Sequence, residues 1–196
     1  MSYRINNKSI LRKNIRLKRD AQVLSEINRK SRIIIEKLIS TDEYRRAKFI
    51  FVYVSFGSEV NTCEFIKKAL KSGKRVGIPL TDIKKREMIC SEIKDFEMEL
   101  EPKTFGILEP RNEHIRKVGI DKIDLVIVPC VAFDRKCFRV GYGGGFYDRF
   151  LKKLKPYVST IGLAYELQII DSISIDEHDM PLNVVITEEN VYKRES

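Results

Sequence analysis

Tryptophan is absent from this 196-residue chain, histidine occurs twice and cysteine four times. No apolar run approaches the roughly 20 residues needed to span a bilayer. Each shortage removes a class of function. Two histidines, and no pair of cysteines at Cys-x-x-Cys spacing, leave too few ligands for a zinc finger or a Cys/His metal centre. Cys63, Cys90, Cys130 and Cys137 therefore read as reduced thiols, with Cys130 and Cys137 bracketing a loop. No membrane role is expected. The first eight residues, Met-Ser-Tyr-Arg-Ile-Asn-Asn-Lys, lack the apolar core and small-residue cleavage site of a signal peptide, so a cytoplasmic location is expected. There is no internal repeat, low-complexity linker, aromatic RNA-binding signature or basic heptad array.

What is present is ordinary globular material with a basic bias. Hydrophobic residues make up 43% and charged residues 33%, enough apolar content for one continuous core, and a single domain over residues 1–196 is expected. The formal net charge is +9, and Arg12, Lys13, Arg16, Lys18 and Arg19 crowd the start. Such a charge suits nucleic acid, an anionic small molecule or a plain solvated surface, and composition does not choose among them.

Periodicity predicts helices over 8–20 and 25–40, the second with Ile27, Ile34 and Leu38 on one face and Ser25 at its N-cap. Residues 48–54 form a continuous apolar run, the pattern of a strand buried on both faces. Asn61 or Thr62 caps a helix ending at Lys71, and Ser72-Gly73-Lys74 turns the chain into a strand at 75–79. That is one strand, helix, strand unit. Residues 80–119 are polar and weakly periodic, with a strand at 88–93 and turns at 104–110. Further strands are expected at 125–128, 159–164 and 184–186. The alternation predicts an α/β fold with a mostly parallel sheet and helices on both faces, a Rossmann-like three-layer arrangement.

One stretch stands out chemically. Residues 139–150 read Arg-Val-Gly-Tyr-Gly-Gly-Gly-Phe-Tyr-Asp-Arg-Phe, with four glycines in five positions. Glycine strips side chains from the backbone, so N–H groups can close on an anion. The run lies between an expected strand and an expected helix over 146–155, which is the order of a phosphate cradle. Its spacing matches neither Gly-x-Gly-x-x-Gly nor a P-loop, and by spacing alone a tight structural turn remains open.

The residues themselves carry more. The run at 139–150, preceded by Val-Pro-Cys-Val-Ala-Phe-Asp at 128–134, resembles the signature of the 5-formyltetrahydrofolate cyclo-ligase family, also called methenyltetrahydrofolate synthetases. Three other segments are similar, in the same order: Lys-Ser-Ile-Leu-Arg at 8–12, Tyr-Val-Ser-Phe-Gly-Ser-Glu-Val-Asn-Thr at 53–62, and Asp-Glu-His-Asp-Met-Pro at 176–181. Val140 stands where the family usually has Leu, Phe146 where it commonly has Tyr, and Asn61 where Asp is frequent.

The resemblance implies an enzyme that uses ATP as co-substrate and Mg2+ as cofactor to convert 5-formyltetrahydrofolate to 5,10-methenyltetrahydrofolate, releasing ADP and phosphate. It places ATP on Lys8, Ser9, Ile10, Leu11 and Arg12, and on the run Arg139, Val140, Gly141, Tyr142, Gly143, Gly144, Gly145, Phe146 and Tyr147. Arg139 is the catalytic candidate, suited to charge developing on a transferring phosphoryl group. Folate falls to Val54, Glu59 and the segment Tyr142, Gly143, Gly144, Gly145 and Phe146, and magnesium to Asp148 and Asp179. Tyr165 is a candidate to stack on a folate ring or to sit in the core, and His178 is assigned a structural role. The implied partners are these small molecules, with the folate polyglutamylated or not; no nucleic acid is expected, and a monomer is. A nucleic-acid module and a sugar-phosphate isomerase or non-catalytic nucleotide sensor on a similar scaffold are the competing readings.

Overall fold

The computed structural model describes residues 8–103, 106–177 and 179–195. In chain order the first half runs α1 (Lys8–Asp20), α2 (Leu24–Ser40), α3 (Asp42–Arg46), β1 (Phe49–Val52), α4 (Cys63–Lys71), β2 (Arg75–Asp82), β3 (Glu87–Ile93), α5 (Phe96–Glu99), β4 (Leu100–Pro102) and β5 (Leu108–Pro110). The second half runs β6 (Lys117–Val118), β7 (Leu125–Pro129), β8 (Ala132–Asp134), β9 (Arg139–Val140), α6 (Phe146–Leu151), β10 (Ser159–Leu163), β11 (Ile169–Ile170), β12 (Val184–Ile186) and β13 (Val191–Lys193).

The central sheet has eight strands in the order β13-β12-β10-β7-β1-β2-β3-β6. Strands β12, β10, β7, β1 and β2 are mutually parallel, and β13, β3 and β6 add antiparallel edges. The α/β class with a mostly parallel sheet is therefore as expected. All of β1 and β7 is buried, and alternation sorts their side chains. Ile50 and Val52 pair in register with Leu125 and Ile127 and face one core; Phe51 pairs with Val126 and faces the other. A continuous apolar run is what a strand covered on both faces requires.

Against the first face lie α2, α3 and α4, through Ile27, Ile34, Leu38, Tyr44, Phe65 and Ile66. Against the second lie α6, through Phe150 and Leu151, and a small sheet ordered β11-β8-β9. Phe133 of β8 seats that small sheet on the large one. A Cβ on Gly162 would meet the Phe133 ring at 2.6 Å, so glycine is what permits the contact. The α1 helix does not pack on the large sheet. Its Leu11 and Ile15 meet Val131, Ala132, Val140 and Ile173, which sets α1 beside β9 and the loop that follows.

Several local expectations shift. The α2 helix begins one residue early: Val23 is the N-cap, its carbonyl accepts from the N–H groups of Glu26 and Ile27, and Ser25 caps nothing. Thr62 holds the N-cap position of α4, yet its hydroxyl donates to the Tyr53 carbonyl at 2.7 Å and accepts from Ser55 N at 3.0 Å. Asn61 Oδ1 takes the Cys63 N–H instead. The α6 helix stops at Leu151 rather than Lys155, because Pro156 disfavours helix in the residue before it and the chain tightens through Lys153 N to Phe150 O and Leu154 N to Leu151 O. The run at 48–54 is a strand only over Phe49–Val52.

Candidate active site

A cleft of about 1590 Å3 opens beyond the carboxyl ends of β1 and β7, where Val54 and Pro129 line it. Ligands in open α/β sheets bind at this end. It is lined by α1 and the glycine loop 141–145, and also by the β2–β3 hairpin and residues 107–109.

The loop owes its shape to glycine at two points. Gly143 has φ 101° and Gly145, the N-cap of α6, has φ 64°, both in the region where a Cβ is strained. Arginines hold the loop from either side. Arg12 Nε donates to Gly141 O at 2.7 Å, and Arg149 Nη2 donates to Gly144 O at 2.8 Å. Among the described residues, the N–H groups of 141–145 have no acceptor. A cradle of unused backbone donors ringed by guanidinium groups attracts phosphate.

Arg139, on β9, is 5% exposed. Its Nη2 donates to Asp148 Oδ1 at 2.6 Å, while among the described residues its buried Nε has no partner, nor has the buried Tyr147 hydroxyl. Lys8 Nζ reaches Asp179 Oδ2 at 2.6 Å and Asp176 Oδ2 at 2.7 Å, tying the start of α1 to the late acidic segment. Burial alone would lower the Lys8 ammonium, but the two carboxylates outweigh it and raise its pKa above the ordinary 10.5.

Asp148 and Asp179 both line the cleft, with side chains 23% and 18% exposed. Among the described residues no three His, Cys, Asp or Glu gather as a ready-made metal cage. Two reachable carboxylates completed by water and phosphate oxygens nonetheless suit magnesium, which dehydrates reluctantly.

Glu59 follows β1 and forms the polar end of the cleft. One carboxylate oxygen accepts from Phe56 N at 2.9 Å and the other from the Tyr142 hydroxyl. Burial raises its pKa above the ordinary 4.5, opposed by those hydrogen bonds and by Arg19 and Arg16. Arg19, 4% exposed, donates from Nη1 to the Tyr142 hydroxyl at 3.1 Å and from Nε to Ser58 Oγ at 2.9 Å.

Lys8, Arg12, Val54, Glu59, Asp148, Asp179 and the whole run 139–147 thus share one cleft. Ser9, Ile10 and Leu11 do not line it: Ser9 is exposed, Ile10 is 53% exposed and Leu11 packs against the small sheet. Tyr165 is not at the cleft either. It is fully buried, its hydroxyl 3.1 Å from Ser31 Oγ and donating to the Glu59 carbonyl at 3.0 Å, so the stacking role gives way to the core role. His178 lies outside the described residues. The four cysteines are free.

Sequence reasoning missed Arg16 and Arg19, although they continue the helical face begun by Lys8 and Arg12 at i+8 and i+11. It also missed the apolar wall of Ile83, Met88, Ile107 and Leu108, which no local pattern marks.

A sequence model of the 5-formyltetrahydrofolate cyclo-ligase family matches residues 4–188. The 5-formyltetrahydrofolate cyclo-ligase of Mus musculus is 33% identical over 83% of this chain and 84% of its own length. That of Escherichia coli K12 is 30% identical over 75% and 81%. Among solved structures, the 5,10-methenyltetrahydrofolate synthetase of Aquifex aeolicus superposes with a TM-score of 0.83 at 31% identity, covering 96% of this chain and 93% of that one. The synthetase of Mycoplasma pneumoniae gives 0.76 at 26% identity. By sequence over nearly its whole length, and by fold, the chain belongs to the 5-formyltetrahydrofolate cyclo-ligase family.

Proposed function

We propose that this cleft closes the ring of 5-formyltetrahydrofolate, using ATP and magnesium, to give 5,10-methenyltetrahydrofolate, ADP and phosphate. The observation that carries the reading is the meeting, in one cleft, of a glycine loop with unused N–H groups, buried or tethered cations and an acceptor-rich pocket around Glu59.

A formamide oxygen is a poor leaving group, so it must first be converted to a good one. It attacks the γ-phosphorus as the bond from that phosphorus to the ADP oxygen breaks. N10 then attacks the formyl carbon, the C–O bond breaks to release phosphate, and N10 gives up its proton. Positioning and charge stabilisation supply most of such a barrier. Lys8 and Arg12 offer cations to the triphosphate, the loop its N–H groups, and Arg139 a guanidinium held by Asp148. Magnesium, when bound at Asp148 and Asp179, neutralises phosphate charge. Glu59 accepts hydrogen bonds from pterin N–H groups in exchange for that of Tyr142, and the wall of Ile83, Met88, Ile107 and Leu108 covers apolar ring surface.

The test is an absorbance time course at the methenyltetrahydrofolate band, with 5-formyltetrahydrofolate and magnesium, with and without ATP. Growth of the band only when ATP is present is the expected result. ATP hydrolysis indifferent to folate would overturn the proposal, and steep salt-sensitive binding of nucleic acid would favour the competing basic-module reading.

A further inference from the structure

Arg19 is a buried cation whose side-chain hydrogen bonds go to neutral groups. It is 4% exposed and lines the cleft. Among the described residues its Nε donates to Ser58 Oγ at 2.9 Å and its Nη1 to the Tyr142 hydroxyl at 3.1 Å, and no carboxylate is in contact with it. Taking a guanidinium out of water without an anion against it is costly, and proteins carry such a cost chiefly at functional sites. Glu59 acts on Arg19 only from a distance, because the Tyr142 hydroxyl stands between them, bonded to both. Ser58 donates in turn to Asp20 and so fixes the guanidinium at its Nε edge.

The directions of these bonds are determined. A guanidinium has no acceptor, so the Tyr142 oxygen accepts from Arg19 and its proton goes to Glu59. Burial raises the phenol above its ordinary 10.0, which keeps that proton in place. One hydroxyl therefore donates to a carboxylate and accepts from a guanidinium. A cyclic lactam offers the same two functions on adjacent atoms, and the pterin of 5-formyltetrahydrofolate carries one at N3–H and C4=O. The other Glu59 oxygen is occupied by Phe56 N at 2.9 Å, so the oxygen facing Tyr142 is the one a ligand can take. Tyr142 is also able to yield its place. It sits between Gly141 and Gly143 and is 48% exposed.

We infer that Arg19 is a specificity-determining residue: when the Tyr142 hydroxyl gives way, Arg19 Nη1 donates to O4 of the pterin while Glu59 accepts from N3–H. This rests on the reaction proposed above and deepens its folate site. The pair reads the 4-oxo group because a 4-amino pterin reverses both partners. Its amino group turns N–H toward the guanidinium, and its N3 turns a lone pair toward the carboxylate. Glu59 opposes the second reversal and Arg19 the first, so each contributes separately to the discrimination.

The test compares kcat/KM for 5-formyltetrahydrofolate with that for its 4-amino counterpart, 5-formyltetrahydroaminopterin, in the ATP-dependent methenyl assay. Wild-type protein is assayed first with the natural substrate, so that failure of the reaction itself is seen separately. Wild type should prefer the 4-oxo compound on the order of 100-fold or more, since a site built to hydrogen-bond a group rejects the analogue lacking it. In Arg19→Met the preference should shrink about tenfold or more, because only the 4-oxo substrate loses a bond from a charged donor. No preference in wild type would overturn the inference. So would an unchanged ratio in the variant, including an equal loss for both substrates, which is what a purely structural Arg19 would give. Tyr142→Phe carries the test should Arg19→Met fail to fold. Without the competing hydroxyl the KM for 5-formyltetrahydrofolate should fall about threefold or more, and an unchanged or raised KM would overturn the inference.

Discussion

Arg139→Lys is the substitution for which the geometry gives the sharpest expectation. The guanidinium donates from Nη2 to Asp148 Oδ1 at 2.6 Å, while Nε, on the same edge, is buried with no partner among the described residues. Lysine carries the same charge but as a single point on a flexible stem, without the fixed planar fork that holds Asp148 and meets a ligand in set directions, so one of the two contacts is weakened. A hydrogen bond between charged groups contributes about 1.5–3 kcal/mol. At 1.36 kcal/mol per decade, losing the ligand contact predicts a fall in kcat/KM of about 10- to 150-fold. If the ammonium turns to the ligand instead, the loss falls on Asp148. The pair is 3% and 23% exposed, so the stability cost is read as a drop in Tm of roughly 3–12 °C for a chain of this size. The assay is the methenyl absorbance course run against ATP and against folate, beside a thermal melt. A cycle with Asp148→Asn separates the outcomes, because contacting residues couple by about 0.5–3 kcal/mol. Wild-type turnover in Arg139→Lys would remove the guanidinium from the chemistry. Unchanged melting together with no coupling would refute the claim that Asp148 holds it in place.

Three other predictions follow from single contacts. Tyr165→Phe deletes a buried hydroxyl bonded to Ser31 and to the Glu59 carbonyl, so Tm should fall by roughly 2–8 °C while KM for folate stays within about twofold; a raised KM with an unchanged melt would restore the stacking role. Because burial lifts Glu59 above 4.5, the folded state holds that proton more tightly than the unfolded chain; the stabilisation is complete below 4.5 and is lost as pH rises through the raised value. Urea midpoints of wild type minus Glu59→Gln should thus decline with pH over that window, and a flat difference would show the carboxyl to be unperturbed. Lys8→Met removes the cation shared by Asp176 and Asp179, so KM for ATP should rise about tenfold, with less effect at high salt; an unchanged KM would place Lys8 outside the nucleotide site.

What could be read from the chain divides along physical lines. Spacing alone left the glycine run open as a structural turn, and it was the family resemblance that singled out Lys8, Arg12 and the run 139–147, which the fold brings to one cleft. Helical spacing from Lys8 and Arg12 would have reached Arg19, whose burial against Tyr142 and Ser58 could not be foreseen because the partners come from 39 and 123 residues away. Tyr165 was ambiguous for the same reason, its partners Ser31 and Glu59 being distant in sequence.

The apolar wall was hidden by a proline. Residues 75–79 end as a strand if Pro79 is taken as punctuation, yet β2 continues to Asp82 in register with β3. The register explains why this is allowed. Pairing of β2 with β1 stops at Gly77, so from Pro79 onward β2 is an edge on that side, where a missing N–H costs no ladder bond. The hairpin therefore outruns the sheet, and the part that outruns it is what carries Ile83 and Met88 over the cleft. Arg149 then closes the circuit, donating from Nε to Arg86 O at the hairpin tip and from Nη2 to Gly144 O in the glycine loop. One guanidinium thus ties the hairpin that carries the apolar wall to the glycine loop.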